Sequence, residues 1–307
     1  MNSELIPERR KEKKLYETGA EIMGSAPEGD DIAFLHSTFC QVGLPRSRPK
    51  TAVFERKSGT AAIRLEAGSL WDGEKFVQQS LPYGTKPRLL LLHLQRSYLR
   101  TGNPVIDLGD SVRDFLQNTL NIDASGGKQG GLTGFKEQIK AFAACRMVIG
   151  WNMPSGAAVT RPAERIVKQF DAWPETASGT GQRMLWPGSL TISDEFALSI
   201  QKASVPLDAR AVRAIQDSAL AIDLYAWLAH RLHRLERPAL LHWKSLQEQF
   251  GTEISDRSNF KKNFTKSLRQ VLAVYPNAKV ESAFGGIKIY RSLPPVPKIM
   301  AVVGGKG

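Results

Sequence analysis

The chain has 307 residues, 42% of them hydrophobic, and a formal charge of +12 with a pI near 9.7. That length suits roughly two domains with ordinary cores, and no run approaches the ~18 apolar residues of a membrane span. The positive excess favours a polyanionic partner, nucleic acid or an acidic membrane surface, while two cysteines, Cys40 and Cys145, and no signal peptide point to a reducing cytosol.

Residues 1–30 lack hydrophobic periodicity and carry the cluster Arg9-Arg10-Lys11-Glu12-Lys13-Lys14, which reads as a flexible basic arm. A short helix is expected over 31–39. His36 and Cys40 are four apart there, but no second ligand pair follows, so zinc is not expected. A basic linker, Pro45 to Lys50, leads to strand-like runs at 51–56 and 61–66, a hairpin. Turns and short strands follow over 68–77. Pro87 at a first helical position starts a helix over 86–100, and Gly102-Asn103-Pro104 stops it. A strand at 105–108 precedes a helix to Leu120, capped by Asp110 or Ser111.

The glycine-rich loop Ser125 to Gly131 lacks the spacing and terminal Lys-Ser/Thr of a phosphate loop, so it reads as a tether and no cofactor is expected. The helix over 132–145 should turn Phe135, Ile139 and Phe142 inward and leave Lys136, Gln138 and Lys140 outside. A strand at 146–151 leaves it. The mixed stretch 153–184 could hold a wing and a charged helix around 163–170. A strand at 185–192, a helix from Ser193 to Ile200 and a helical region from Asp208 to Leu235 come next. Then a strand at 240–243 and a short helix ending at Gly251 close the approach to the most informative stretch.

That stretch runs from Asn259 to Arg291. Phe260, Phe264, Leu268, Val271 and Leu272 share one face of a helical wheel at ~100° per residue. Lys262, Lys266 and Arg269 fall opposite, with Asn263 on the flank. Such side chains reach phosphates and base edges. After Pro276, two short strands around Phe284-Gly285-Gly286 read as a basic hairpin. Between Arg257 and Arg291 there are eight Lys/Arg and one acidic residue, Glu281. A basic amphipathic helix followed by a hairpin is the pattern of a winged helix.

The halves repeat this order. Helix 86–100, strand, helix, loop and helix 132–145 parallel helix 218–235, strand, helix, loop and helix 260–273, with Phe135-Lys136 where Phe260-Lys261 sits. The fold class expected is therefore α+β: two tandem winged-helix domains, mostly helical, with small β-sheets and hairpin wings. The first, over 31–200, includes the N-terminal β-hairpin. The second spans 201–295, and 296–307 is a flexible tail.

The run Leu81-Pro82-Tyr83-Gly84-Thr85-Lys86-Pro87-Arg88-Leu89-Leu90, the 111–120 helix with Gly126-Gly127, the run Ala221 to Leu232 and the stretch Tyr275 to Gly286 together resemble the plasmid-encoded RepA family. The resemblance covers roughly 33–295. It implies a plasmid replication initiator that binds repeated sites, iterons, in double-stranded origin DNA, promotes melting nearby and recruits host helicase-loading proteins. It also implies copy control and a homodimer that represses in exchange with a monomer that initiates, though no residue here displays that exchange. Lys262, Lys266, Arg269 and Asn263 are the expected base readers, and Lys261, Lys288 and Arg291 the phosphate holders. Lys136, Gln138 and Lys140 are first-domain candidates. Two readers would span successive major-groove faces about ten base pairs apart.

Catalytic chemistry is not expected. No Ser–His–Asp grouping is legible, His230, His233 and His242 lack nearby Cys or carboxylate ligands, and Asp107, Asp110 and Asp256 are merely acidic. Tyr225 lies on an apolar stripe, and Tyr290 has no Arg–His–Arg set around it. The alternatives are a winged-helix transcriptional repressor without initiation activity, and a DNA nicking or recombining enzyme.

Overall fold

A computed structural model describes residues 5–109, 111–120, 131–152, 155–170 and 188–297. In chain order the elements are α1 (Leu5–Gly24), β1 (Ile32–His36), α2 (Ser37–Gln41), β2 (Val53–Ser58), β3 (Ala61–Glu66), β4 (Ser69–Trp71), β5 (Phe76–Gln78), α3 (Lys86–Thr101) and β6 (Val105–Asp107). Next come α4 (Val112–Asp114), carried on as a π-helical turn over Phe115–Thr119, then α5 (Gly131–Ala144), β7 (Arg146–Asn152), β8 (Ala158–Arg165), β9 (Val167–Phe170), β10 (Ser189–Ile192) and α6 (Asp194–Ala203). The chain continues with β11 (Ser204–Asp208), α7 (Ala209–Ile215), α8 (Ala219–Arg231), β12 (Ala239–His242), α9 (Trp243–Phe250), α10 (Arg257–Val274), β13 (Val280–Ala283) and β14 (Gly286–Ile289).

These elements fall into two compact units, Leu44–Ala203 and a second made of Met1–Gly43 with Ser204–Gly307. This division differs from the sequence expectation, which gave 31–43 to the first domain. The physical reason is β1. Its Ile32, Ala33, Phe34 and Leu35 are all buried, a continuous apolar run suited to a covered strand and not to a short helix. It pairs antiparallel with β11, Ile32 opposite Asp208 and His36 opposite Ser204. Ion pairs fasten the same segment: buried Arg210 forks onto Asp208 at 2.8 Å and donates to Ser25 Oγ at 2.7 Å, and the part-exposed Arg213 donates to Asp31 at 2.9 Å. Residues 5–24, expected as part of a flexible arm, form α1 and pack on α7 and α10.

In the unit from Leu44 to Ala203, helix α3, strand β6, helices α4 and α5 and strands β9 and β10 follow the winged-helix order, with the sheet arranged β6-β10-β9. Thr85 precedes α3 and Gly102 ends it in the left-handed region at φ +68, as glycine allows. Ser111 caps α4, its hydroxyl accepting from the Asp114 N–H at 3.0 Å. Strands β7 and β8 intervene between α5 and β9 and extend the β2–β3 hairpin into a four-stranded sheet, β2-β3-β7-β8. The charged helix expected around 163–170 is absent: those residues belong to β8 and β9. The glycine-rich stretch 121–130, Asp110 and the tail beyond 297 lie outside the described residues.

In the other unit, α8, β12, α9, α10, β13 and β14 repeat the same succession, and the sheet repeats the same order, β12-β14-β13. Ser218 caps α8, accepting from the Ala221 N–H at 3.2 Å. α8 is buried nearly all round, from Leu220 to His230, and forms the centre of this core. The repeat read in the sequence is thus a repeat of topology as well as of pattern.

Candidate nucleic-acid interface

α10 begins at an Asp256 cap, whose carboxylate accepts from the N–H groups of Ser258 at 3.1 Å and Asn259 at 2.9 Å. Its inward face is aromatic. Phe260 and Phe264 are fully buried, with ring centroids 5.6 Å apart, and Phe264 meets Trp243 at 5.7 Å and Phe250 at 5.9 Å. Gly251 is needed beneath them, because a Cβ there would stand 2.6 Å from the Phe260 ring. Leu268, Val271 and Val274 continue the buried stripe, and Leu272 is half-buried at its margin.

This orientation turns the basic side chains outward. Lys261, Lys262, Asn263, Lys266 and Arg269 are all exposed. They are not equivalent. Lys261 lies at the edge of the core, its Nζ 5.3 Å above the Trp243 ring. Asn263 donates to the Asn259 side chain at 3.2 Å. Lys262, Lys266 and Arg269 line one open groove on the outward side of the helix, which Lys261 also reaches.

The hairpin β13–β14 stands in register, Ala283 opposite Gly286, and turns through Phe284-Gly285 with Gly285 at φ +79. The Trp243 N–H donates to the Gly285 carbonyl at 2.9 Å, tying the turn to the start of α9. Gly286 is obligatory, since a Cβ would collide with the Leu241 carbonyl oxygen on β12. On the hairpin Lys288 and Arg291 are exposed, Lys288 5.3 Å above the Tyr290 ring. Tyr290 donates its hydroxyl to Glu281 at 2.6 Å, and that carboxylate holds the phenol above its ordinary pKa range. Glu281, the sole acid between Arg257 and Arg291, is therefore occupied within the wing.

The corresponding helix of the first unit is different. Gln138, expected outside α5, is buried and its Oε1 accepts from the Tyr83 N–H at 2.7 Å. Lys136 and Lys140 are half-buried. The cause is a helix covered on several sides. Ala141, Phe142, Ala143 and Ala144 are buried in succession, and α3, α4, β4 and β9 all pack on α5. The inward residues Phe135, Ile139 and Phe142 do not signal the alanines that cover the second side.

Several polar groups set aside from catalysis or metal binding are held in the interior. His36 Nδ1 accepts from the Thr38 N–H at 3.2 Å and caps α2, and burial pushes the Cys40 thiol far above its usual range. The Cys145 thiol is pushed up to about 12 by burial. Arg234 lies 2.8 Å from His230 Nε2; burial, then the charge of Arg234, lowers that imidazole to about 4. The buried Tyr225 hydroxyl accepts from the Asp208 N–H at 3.0 Å and stays protonated far above its ordinary range. Among the described residues no group of three or more His, Cys, Asp or Glu is placed to hold a metal ion. No described helix is long and apolar enough to cross a membrane.

The family model described as plasmid encoded RepA protein matches residues 81–243, more than half of the chain. The chain belongs to this family. RepA membership supports a role in plasmid replication initiation. The match runs from the approach to α3 through the first residue of α9, so α10 and its wing lie beyond it and rest on their own geometry. Among solved structures, the chain is similar to domains 2 and 3 of RctB, at TM-score 0.51 and 11% identity over 84% of this chain and 98% of that one. A second structure of RctB domains 2–3 gives TM-score 0.48 and 12% identity over 87% and 99%. The first of these likenesses shows the α+β fold. No curated protein matches the sequence.

Proposed function

We propose that this RepA-family chain initiates plasmid replication by binding repeated origin sites in duplex DNA, with α10 as its groove-reading helix. One observation carries this reading. The outward side of α10 presents Lys262, Lys266 and Arg269 directly opposite a closed aromatic core, in a helix–strand–helix–helix–hairpin frame. A helix of that kind enters the major groove, where Arg bonds guanine bidentately. Lys261, Lys288 and Arg291 are the phosphate contacts that fix register, and Asn263 flanks the readers. Lys136 and Lys140 remain minor contributors in the first unit; buried Gln138 is withdrawn.

In this reading the protein works in the bacterial cytoplasm without cofactor or enzymatic step. It opens the origin by binding and passes it to host replication proteins, with a homodimer as the form that limits copy number. The test is incubation with supercoiled origin plasmid and magnesium. Intact supercoils with site-selective retention are expected. Nicked circles or a covalent protein–DNA adduct would instead support a nicking or recombining enzyme.

A further inference from the structure

The outward side of α10 is not open along its whole length, because α1 crosses it. Gly19 on α1 lies so close to the end of α10 that a Cβ there would run into the Ala273 carbonyl oxygen. Leu15, one turn earlier, is buried. From that crossing a groove of about 810 Å³ opens between the helices, with Glu12 and Tyr16 on one wall and Lys262, Lys266 and Arg269 on the other. On a helical wheel Ala273 falls with Lys262, Lys266 and Arg269, away from Phe260, Phe264 and Val271. The helix that touches α10 here therefore does so on its reading side.

Size decides what this means. The major groove of B-DNA is about 12 Å wide, and a helix with its side chains is about 10–12 Å across. Once α10 lies in that groove, nothing remains for a second helix over its outward side. We propose that α1 is a built-in competitor of DNA: closed on α10 it obstructs the reading side, and it must swing away for the duplex to dock. This rests on α10 being the reader.

The contact is made for release. Among the described side chains α1 meets α10 through a glycine against a carbonyl and a buried leucine, while Tyr16 and Glu12 stay exposed. The only acid of the Arg9–Lys14 cluster, Glu12, lines the groove with the α10 cations, in the space DNA phosphates would claim. The other charges of that cluster are basic, so a released α1 would be attracted to the same duplex.

The full-length variant Gly19→Leu keeps every charge and leaves α10 untouched. Its binding should be measured on labelled duplexes tiled across the plasmid's own origin and on a random-sequence duplex, with amide hydrogen exchange on α1 as the monitor of release. Faster exchange in α1 and about tenfold tighter origin binding are expected, since apparent affinity scales with the docking-competent fraction. Leu15→Asn loosens the same helix through a different contact and should act in the same direction, which covers a Gly19→Leu chain that fails to fold. Faster α1 exchange with unchanged or weaker binding in the folded variants overturns the proposal, and so does slow exchange retained in both. Arg269→Ala separates the two readings. If α10 is not the reader, that variant leaves base preference unchanged. If only the α1 proposal fails, it alters base preference while Gly19→Leu does not tighten binding.

Discussion

Arg269 and Lys288 carry the same charge in different surroundings. Arg269 stands on the outward side of a capped, well-packed helix, and Lys288 lies along the Tyr290 ring on a hairpin. Arg269→Ala should relax preference at one base position in each repeat, worth about 1–3 kcal/mol of discrimination, and leave non-specific binding nearly unchanged. Lys288→Ala should weaken all sequences about equally and lower the salt slope by about one. Competition binding with single-base variants of the repeat measures both. If the two effects come out exchanged, helix and wing have each other's role. At this scale the sequence spoke clearly where periodicity was strong. The outward set on α10 follows from Phe260, Phe264, Leu268 and Val271 alone. Gln138 was not legible, because its burial depends on a distant partner, the Tyr83 amide, and on helices packed against the second side of α5.

At the scale of elements, both recognition-type helices, the second unit's short sheet and the caps Ser111 and Asp208 lie where spacing and capping chemistry put them. Elements whose identity depends on pairing partners were harder to read. β1 is a strand because β11 lies beside it, and β8 and β9 are strands because β7 and β10 do. Such partners are remote in sequence, and local preference does not encode them. α1 has a similar cause: its charged sequence gives little apolar stripe, and its ordered place comes from α7 and α10. The orientation of α10 can be tested at this scale. Phe260→Ala and Phe264→Ala should each cost about 3–5 kcal/mol, since both rings are fully enclosed. Chemical denaturation reads the loss, and wild-type stability in both variants would mean the basic side chains face elsewhere.

At the scale of the whole molecule, the N-terminal 43 residues fold with the C-terminal unit, so each winged-helix frame is completed differently from what a cut between halves suggests. Each unit also holds a histidine whose imidazole is largely withdrawn from solvent. His93 and His230 are lowered to about 4, in both cases mainly by burial, from an ordinary value of 6.5. The unfolded chain takes up these protons below pH 6.5 and the folded chain does not until about pH 4. Their contribution to stability is thus whole above pH 6.5 and declines as the pH falls toward 4, by roughly 1 kcal/mol per pH unit for each. Thermal melts between pH 7 and 4.5 should show the decline, and His230→Gln should flatten part of it; an unchanged slope in that variant would place the cause in other groups.

The claim on which the functional account depends is that the outward side of α10 recognises repeated sites in origin DNA. Quantitative footprinting across the plasmid's own origin tests it, comparing the wild-type chain with a variant carrying Lys262→Ala, Lys266→Ala and Arg269→Ala. The account predicts evenly repeated protected segments for the wild type and their loss in the variant, whose aromatic core is untouched. Protection that persists in the variant, or a wild-type origin with no repeated protection, would contradict it.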